Sequence, residues 1–94
     1  MTIFLVTQNN GDYEAKKFTS HPFTDNEVFT TYFKALREAG WSRKWYEKEG
    51  FHEIHREINP YDNEEWSKHL LRVVMVNENQ NQWVAIEINR FMVH

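Results

Sequence analysis

Phe23-Thr24-Asp25-Asn26-Glu27-Val28 and the similar run Tyr61-Asp62-Asn63-Glu64-Glu65-Trp66 decide how this chain is read. In each, a residue able to cap a helix (Thr24, Asp62) stands three positions before a glutamate (Glu27, Glu65). The cap oxygen can accept from a free backbone N–H of the first turn, and the glutamate can reach back to the cap's own N–H. An apolar residue just before each cap (Phe23, Tyr61) can staple to one in the first turns (Val28, Trp66). The spacing predicts two helices, from about Asp25 to Ala39 and from about Asn63 to Leu70.

Working outward, Val28, Phe29, Tyr32, Phe33 and Leu36 recur at helical spacing, and Gly40 is placed to end the first helix in the left-handed conformation. Before it, Thr2–Thr7 and Tyr13–Thr19 read as strands around the turn cluster Asn9-Asn10-Gly11-Asp12. After it, Trp41–Ile58 admits two readings. Ser42 caps a short helix that Gly50 ends, with a strand following, or Trp41–Glu47 and Phe51–Ile58 form a hairpin; the first is preferred. Asn59-Pro60 then breaks the chain. Leu71–Val76 and Trp83–Val93 are the clearest strands, joined by the polar link Asn77–Gln82. On the second strand Val84, Ile86, Ile88 and Arg90 share one face, and Ala85, Glu87 and Asn89 the other. The expected fold class is α+β. A mainly antiparallel sheet of four or five strands carries two helices on one face, and residues 1–94 form a single domain.

Composition narrows the function classes. The net charge of −3 is distributed as 4 bases and 5 acids over residues 1–40, 4 and 7 over 41–66, and 3 and 2 over 67–94. No block is basic enough to track a phosphate backbone, so direct nucleic-acid binding is not expected. The chain has no cysteine, which removes disulfides, thiolate catalysis and cysteine-ligated zinc. Met1-Thr2-Ile3-Phe4-Leu5-Val6 lacks the length and positive flank of a secretory leader, and no apolar run approaches the roughly 20 residues that span a bilayer. A soluble, cytoplasmic protein with no membrane association is expected.

Each candidate chemistry competes with a plainer explanation. His52-Glu53-Ile54-His55 falls one residue short of the two histidines at i and i+4 that hold a catalytic zinc on a helix. On a regular strand the two imidazoles would point to opposite faces. Helix capping already accounts for Asp62 and Glu65 in the acidic run. Tyr13, Lys16, Lys17 and Phe18 offer a small surface of rings and positive charge for a single nucleic-acid strand, but two lysines supply little electrostatic attraction. Glycines stand only at 11, 40 and 50, too sparse for a phosphate loop, and Ser20, Ser42 and Ser67 sit in no nucleophile elbow.

The aromatic distribution is the positive signal. Residues 41–66 hold Trp41, Trp45, Tyr46, Phe51, Tyr61 and Trp66 but only two aliphatics, Ile54 and Ile58. Tryptophan, tyrosine and arginine are the residues that anchor protein interfaces. The expectation is a non-catalytic protein-binding module with no cofactor, no metal and no catalytic residue. Its partner-binding residues would be Trp41, Arg43, Trp45, Tyr46 and Arg56. The alternatives are a small metal-dependent hydrolase using His52, His55 and a carboxylate, or a weak single-strand binder. The overall profile is similar to that of small phage or mobile-element proteins that inhibit a host enzyme by occluding its surface, a likeness of class that no motif carries.

Overall fold

The computed structural model describes residues 1–14, 17–60, 66 and 68–93; the side chains of residue 14 and of 17–25 lie outside the description. Five strands and one helix follow in the order β1 (Thr2–Glu14), β2 (Lys17–Phe29), α1 (Tyr32–Lys48), β3 (His52–Ile58), β4 (Leu71–Asn77) and β5 (Gln82–Met92). The strands form one sheet in the order β2-β1-β5-β4-β3, and every neighbouring pair is antiparallel. The α+β class therefore stands, with one helix among the described residues rather than two.

The first expected helix start is overturned. Residues 24–29 belong to β2, where Thr24 pairs with Asn9, Glu27 with Val6 and Phe29 with Phe4. A capping box stabilises a helix end by about 1 kcal/mol, whereas this segment gains a run of cross-strand pairs. The helix starts two turns later. Thr31 is its cap, in extended conformation, and its Oγ1 accepts from the Lys34 backbone N–H at 3.3 Å. The second expected start falls on residues 61–65, outside the description. Trp66 and the described residues 68–70, beyond it, are not helical.

Asn9-Asn10-Gly11-Asp12 is likewise not the hairpin turn. β1 runs through it, with a register irregularity between Asn9 and Gly11 facing residues 21–23 of β2. Pro22, which has no N–H to give a ladder, lies in that unpaired stretch of an edge strand.

Gly40 lies inside α1, and the helix ends instead at Gly50, whose φ of 96° is the left-handed conformation glycine adopts cheaply. The Gly50 N–H donates to Glu47 O at 3.1 Å and the Phe51 N–H to Tyr46 O at 2.9 Å. These are the two hydrogen bonds of a Schellman cap, and the Tyr46 and Phe51 rings make its apolar contact at 5.1 Å. Asn77 secures the cap: its Nδ2 donates to Glu49 O at 3.0 Å and its Oδ1 accepts from the Gln80 N–H.

Alternation on β4 and β5 builds the core. Leu71, Val73 and Met75 pair with Ile88, Ile86 and Val84 on the helix side. Phe4, Val6, Leu70 and Phe51 join them, and α1 contributes Ala35 and Ala39, both fully buried. Two alanines one turn apart let the helix backbone come close to the sheet. On the opposite face Val74, Val76, Trp83 and Ala85 form a smaller cluster with Tyr13 against it. No helix among the described residues is long and apolar enough to cross a membrane.

Candidate docking surface

Position along α1 decides which side chains meet. At roughly 100° per residue, Ala35, Ala39, Ser42 and Tyr46 turn to one side, and Ala35 and Ala39 pack into the core. Tyr46 anchors this side to the sheet. Its hydroxyl donates to Gln8 Oε1 at 3.0 Å, and Gln8 Nε2 donates to Ser42 Oγ at 2.9 Å. Trp41 and Trp45 stand one turn apart on the flank facing β1. They are 58% and 56% exposed, although they are among the largest apolar side chains in the chain. Trp45 meets Tyr46 edge to face at 5.0 Å, and the Arg37 guanidinium lies 5.3 Å from the Trp41 ring. With Phe33, 72% exposed, these residues make a ridge at four-residue intervals that winds round the helix.

Gln8, Glu38, Trp41, Ser42, Trp45 and Tyr46 line an open groove of about 410 Å³ along this flank. Glu38 is the carboxylate in it. Burial pushes its pKa above the usual glutamate range, and so does Glu27 of β2, which accepts a hydrogen bond from the protonated Glu38 carboxyl and repels its charged form; Arg37 opposes them.

Arg43 and Arg56 lie on the other flank. Together with Leu36, Ala39, Gly40, Ile58, Leu71 and Val73 they line a separate groove of about 230 Å³ between α1 and the β3–β4 edge. Arg43 pairs with Glu47 at 3.0 Å, and Arg56 Nε donates to Glu53 at 2.9 Å. The five expected partner-binding residues therefore divide. Trp41, Trp45 and Tyr46 meet in one groove, and Arg43 and Arg56 meet in the other. Arg37 and Glu38 stand four and three residues before Trp41, a spacing that brings them together only because α1 continues through Gly40; Gln8 comes from β1, and no local pattern marks it. Of the other aromatics in this segment, Phe51 is core, and Trp66 is half-exposed with the buried Arg90 guanidinium 4.4 Å from its ring.

His52 and His55 sit on β3, where a bulge at Ile54 changes the expected geometry. They pair with Val76 and Val74, which share a face, so both histidines point to the same side of the strand. His52 Nε2 is 3.8 Å from Glu78, and no set of three metal-ligating side chains converges among the described residues. A second polar cluster lies on the sheet face away from α1. His69 Nδ1 is 2.7 Å from Asn89 Oδ1 and 3.4 Å from Glu87, and Arg72 Nε is 3.5 Å from Glu87. Beside it, an Asn59 hydrogen bond lowers the Glu57 pKa; burial opposes this, and His69, His55 and Arg72 add to it. This cluster spends its charges on one another. Of the proposed nucleic-acid surface, Tyr13 packs against the Trp83 cluster, Lys16 is outside the described residues, and the side chains of Lys17 and Phe18 are outside the description.

Compared with known proteins, the chain matches no family model, no curated protein and no solved structure.

Proposed function

We propose that this protein is a binding module that covers a surface of a partner protein, docking through the β1-side flank of α1. The observation that carries the reading is the pair Trp41 and Trp45, each more than half exposed, on a helix whose adjoining side is fixed to the sheet. Isolated exposed apolar residues are ordinary; an aromatic ridge beside a groove is what interaction sites present. Covering the exposed half of one indole is worth on the order of 2 kcal/mol at about 25 cal/mol per Å². The Tyr46–Gln8–Ser42 hydrogen bonds hold the groove's polar groups in place before binding, which lowers the entropic cost of docking. Occlusion of an enzyme surface, the mode of small inhibitor proteins, needs nothing more than such a rigid anchored face.

The test is comparative capture from the cells in which the gene is native. Wild type, Trp41→Ala/Trp45→Ala and Arg43→Ala/Arg56→Ala are used as bait, each checked for an intact melting transition. A partner lost only with the tryptophan pair supports this surface. A partner retained by that variant and lost with the arginine pair moves the interface to the other groove. A partner retained by both removes α1 from the reading.

A further inference from the structure

The groove beside Trp41 and Trp45 carries a charge bias that narrows what can enter it. Gln8, Ser42 and Tyr46 bond to one another, which leaves the two indole faces and the Glu38 carboxyl as the recognition elements. An indole face is the negative pole of the ring quadrupole and attracts cations. Glu38 lines the groove, and Glu27 of β2 is near enough to raise its pKa, so carboxyl groups from two elements bias this side of the groove negative. The nearby cation that acts on Glu38 is Arg37, and it already lies over Trp41.

We infer that this groove receives a cationic side chain of the partner protein, an arginine or lysine, seated against Trp45 and Trp41 and paired with Glu38. The inference rests on the docking reading above and names the chemistry of what docks. An acidic side chain would meet two carboxyl groups. A neutral apolar side chain would cover the indoles but strip water from Glu38 without supplying a counter-charge. A guanidinium satisfies both elements, since its plane stacks on a ring while its N–H groups donate to the carboxylate. The Arg37–Trp41 pair is the same recognition made within the chain.

The probes are capped peptides of sequence Gly-Ser-Gly-X-Gly-Ser-Gly, with X as arginine, lysine, norleucine or glutamate. They are titrated into the full chain while the indole N–H resonances of Trp41 and Trp45 are followed by NMR. The arginine peptide should shift both resonances and bind at least about tenfold more tightly than the norleucine peptide, a difference of about 1.4 kcal/mol. Glu38→Gln should erase most of that preference. Arg37→Ala should strengthen arginine binding, because it frees the Trp41 face and removes a cation that acts on Glu38. Melting curves confirm that each variant is folded. Equal binding of the norleucine and arginine peptides would overturn the inference and leave an uncharged docking groove. No response of either indole to any peptide would overturn it too. Neither result bears on whether Trp41→Ala/Trp45→Ala loses a captured partner, so failure here is distinct from failure of the docking surface.

Discussion

Single residues set the local limits of this fold, and the two helix-region glycines act in opposite directions. A Cβ added at Gly40 meets nothing within 4 Å, so Gly40→Ala should stabilise the protein by about 0.5–1 kcal/mol by removing an interior helix glycine. At Gly50 the same change forces a side chain into positive φ and sets a Cβ 3.2 Å from Asn77 Nδ2. It should destabilise by about 1 kcal/mol or more; urea denaturation of the two variants checks both signs. Glu38 makes a pH-dependent prediction. Its pKa in the folded state lies above the unfolded value, so its favourable contribution is complete below the unfolded pKa and is lost as pH rises through the folded one. Glu38→Gln should therefore be more stable than the parent at neutral pH and lose that advantage in acid. Glu57 has the opposite sign. Its lowered pKa contributes above the unfolded value and fades as pH falls. Denaturation midpoints across the acid range, measured for each Gln variant against the parent, separate the two.

At the scale of elements, the sequence was most legible where one signal acted alone. Leu71–Val76 and Trp83–Val93 are apolar, β-branched runs bounded by polar residues, and β4 and β5 fall within a residue of those bounds. The β3 strand and the role of Gly50 as a helix end were also legible. The helix start was not, because a good local cap at Thr24 competes with ladder pairing along β1 that no local pattern reveals. The cap belongs to Thr31, and Thr31→Ala should cost about 0.5–2 kcal/mol and shorten α1 from its first turn. The loss is readable by far-ultraviolet circular dichroism and thermal melting; an unchanged melt would mean that Thr31 Oγ1 contributes nothing at 3.3 Å. The facing of His52 and His55 departs from the sequence pattern for a related reason. Alternation predicts opposite faces for positions three apart, and one bulged residue, Ile54, cancels it. That bulge, with the charged Glu53 and Arg56, also protects β3 as an exposed sheet edge.

Across the whole molecule, the candidate site was half legible. Composition picked out Trp41, Trp45 and Tyr46, which the structure joins in one groove, but it also grouped Arg43 and Arg56 with them. Arg43 lies about 200° round the helix from Trp41, and a reading that broke α1 after Ala39 had no means of placing the two on opposite flanks. The resulting architecture separates support from recognition. Core stability resides in β4 and β5 against β1 and two alanines of α1, while the tryptophans stand outside that core. The most direct measurement is a paired one on Trp45→Ala and Ile86→Ala, recording melting temperature and affinity for the captured partner. Ile86→Ala should lose about 2–5 kcal/mol of stability. Trp45→Ala should melt close to wild type yet bind at least about thirtyfold more weakly, a loss of about 2 kcal/mol. If Trp45→Ala unfolds as readily as Ile86→Ala, or stays folded and binds the partner unchanged, then Trp45 is not a docking anchor and the account of α1 is wrong.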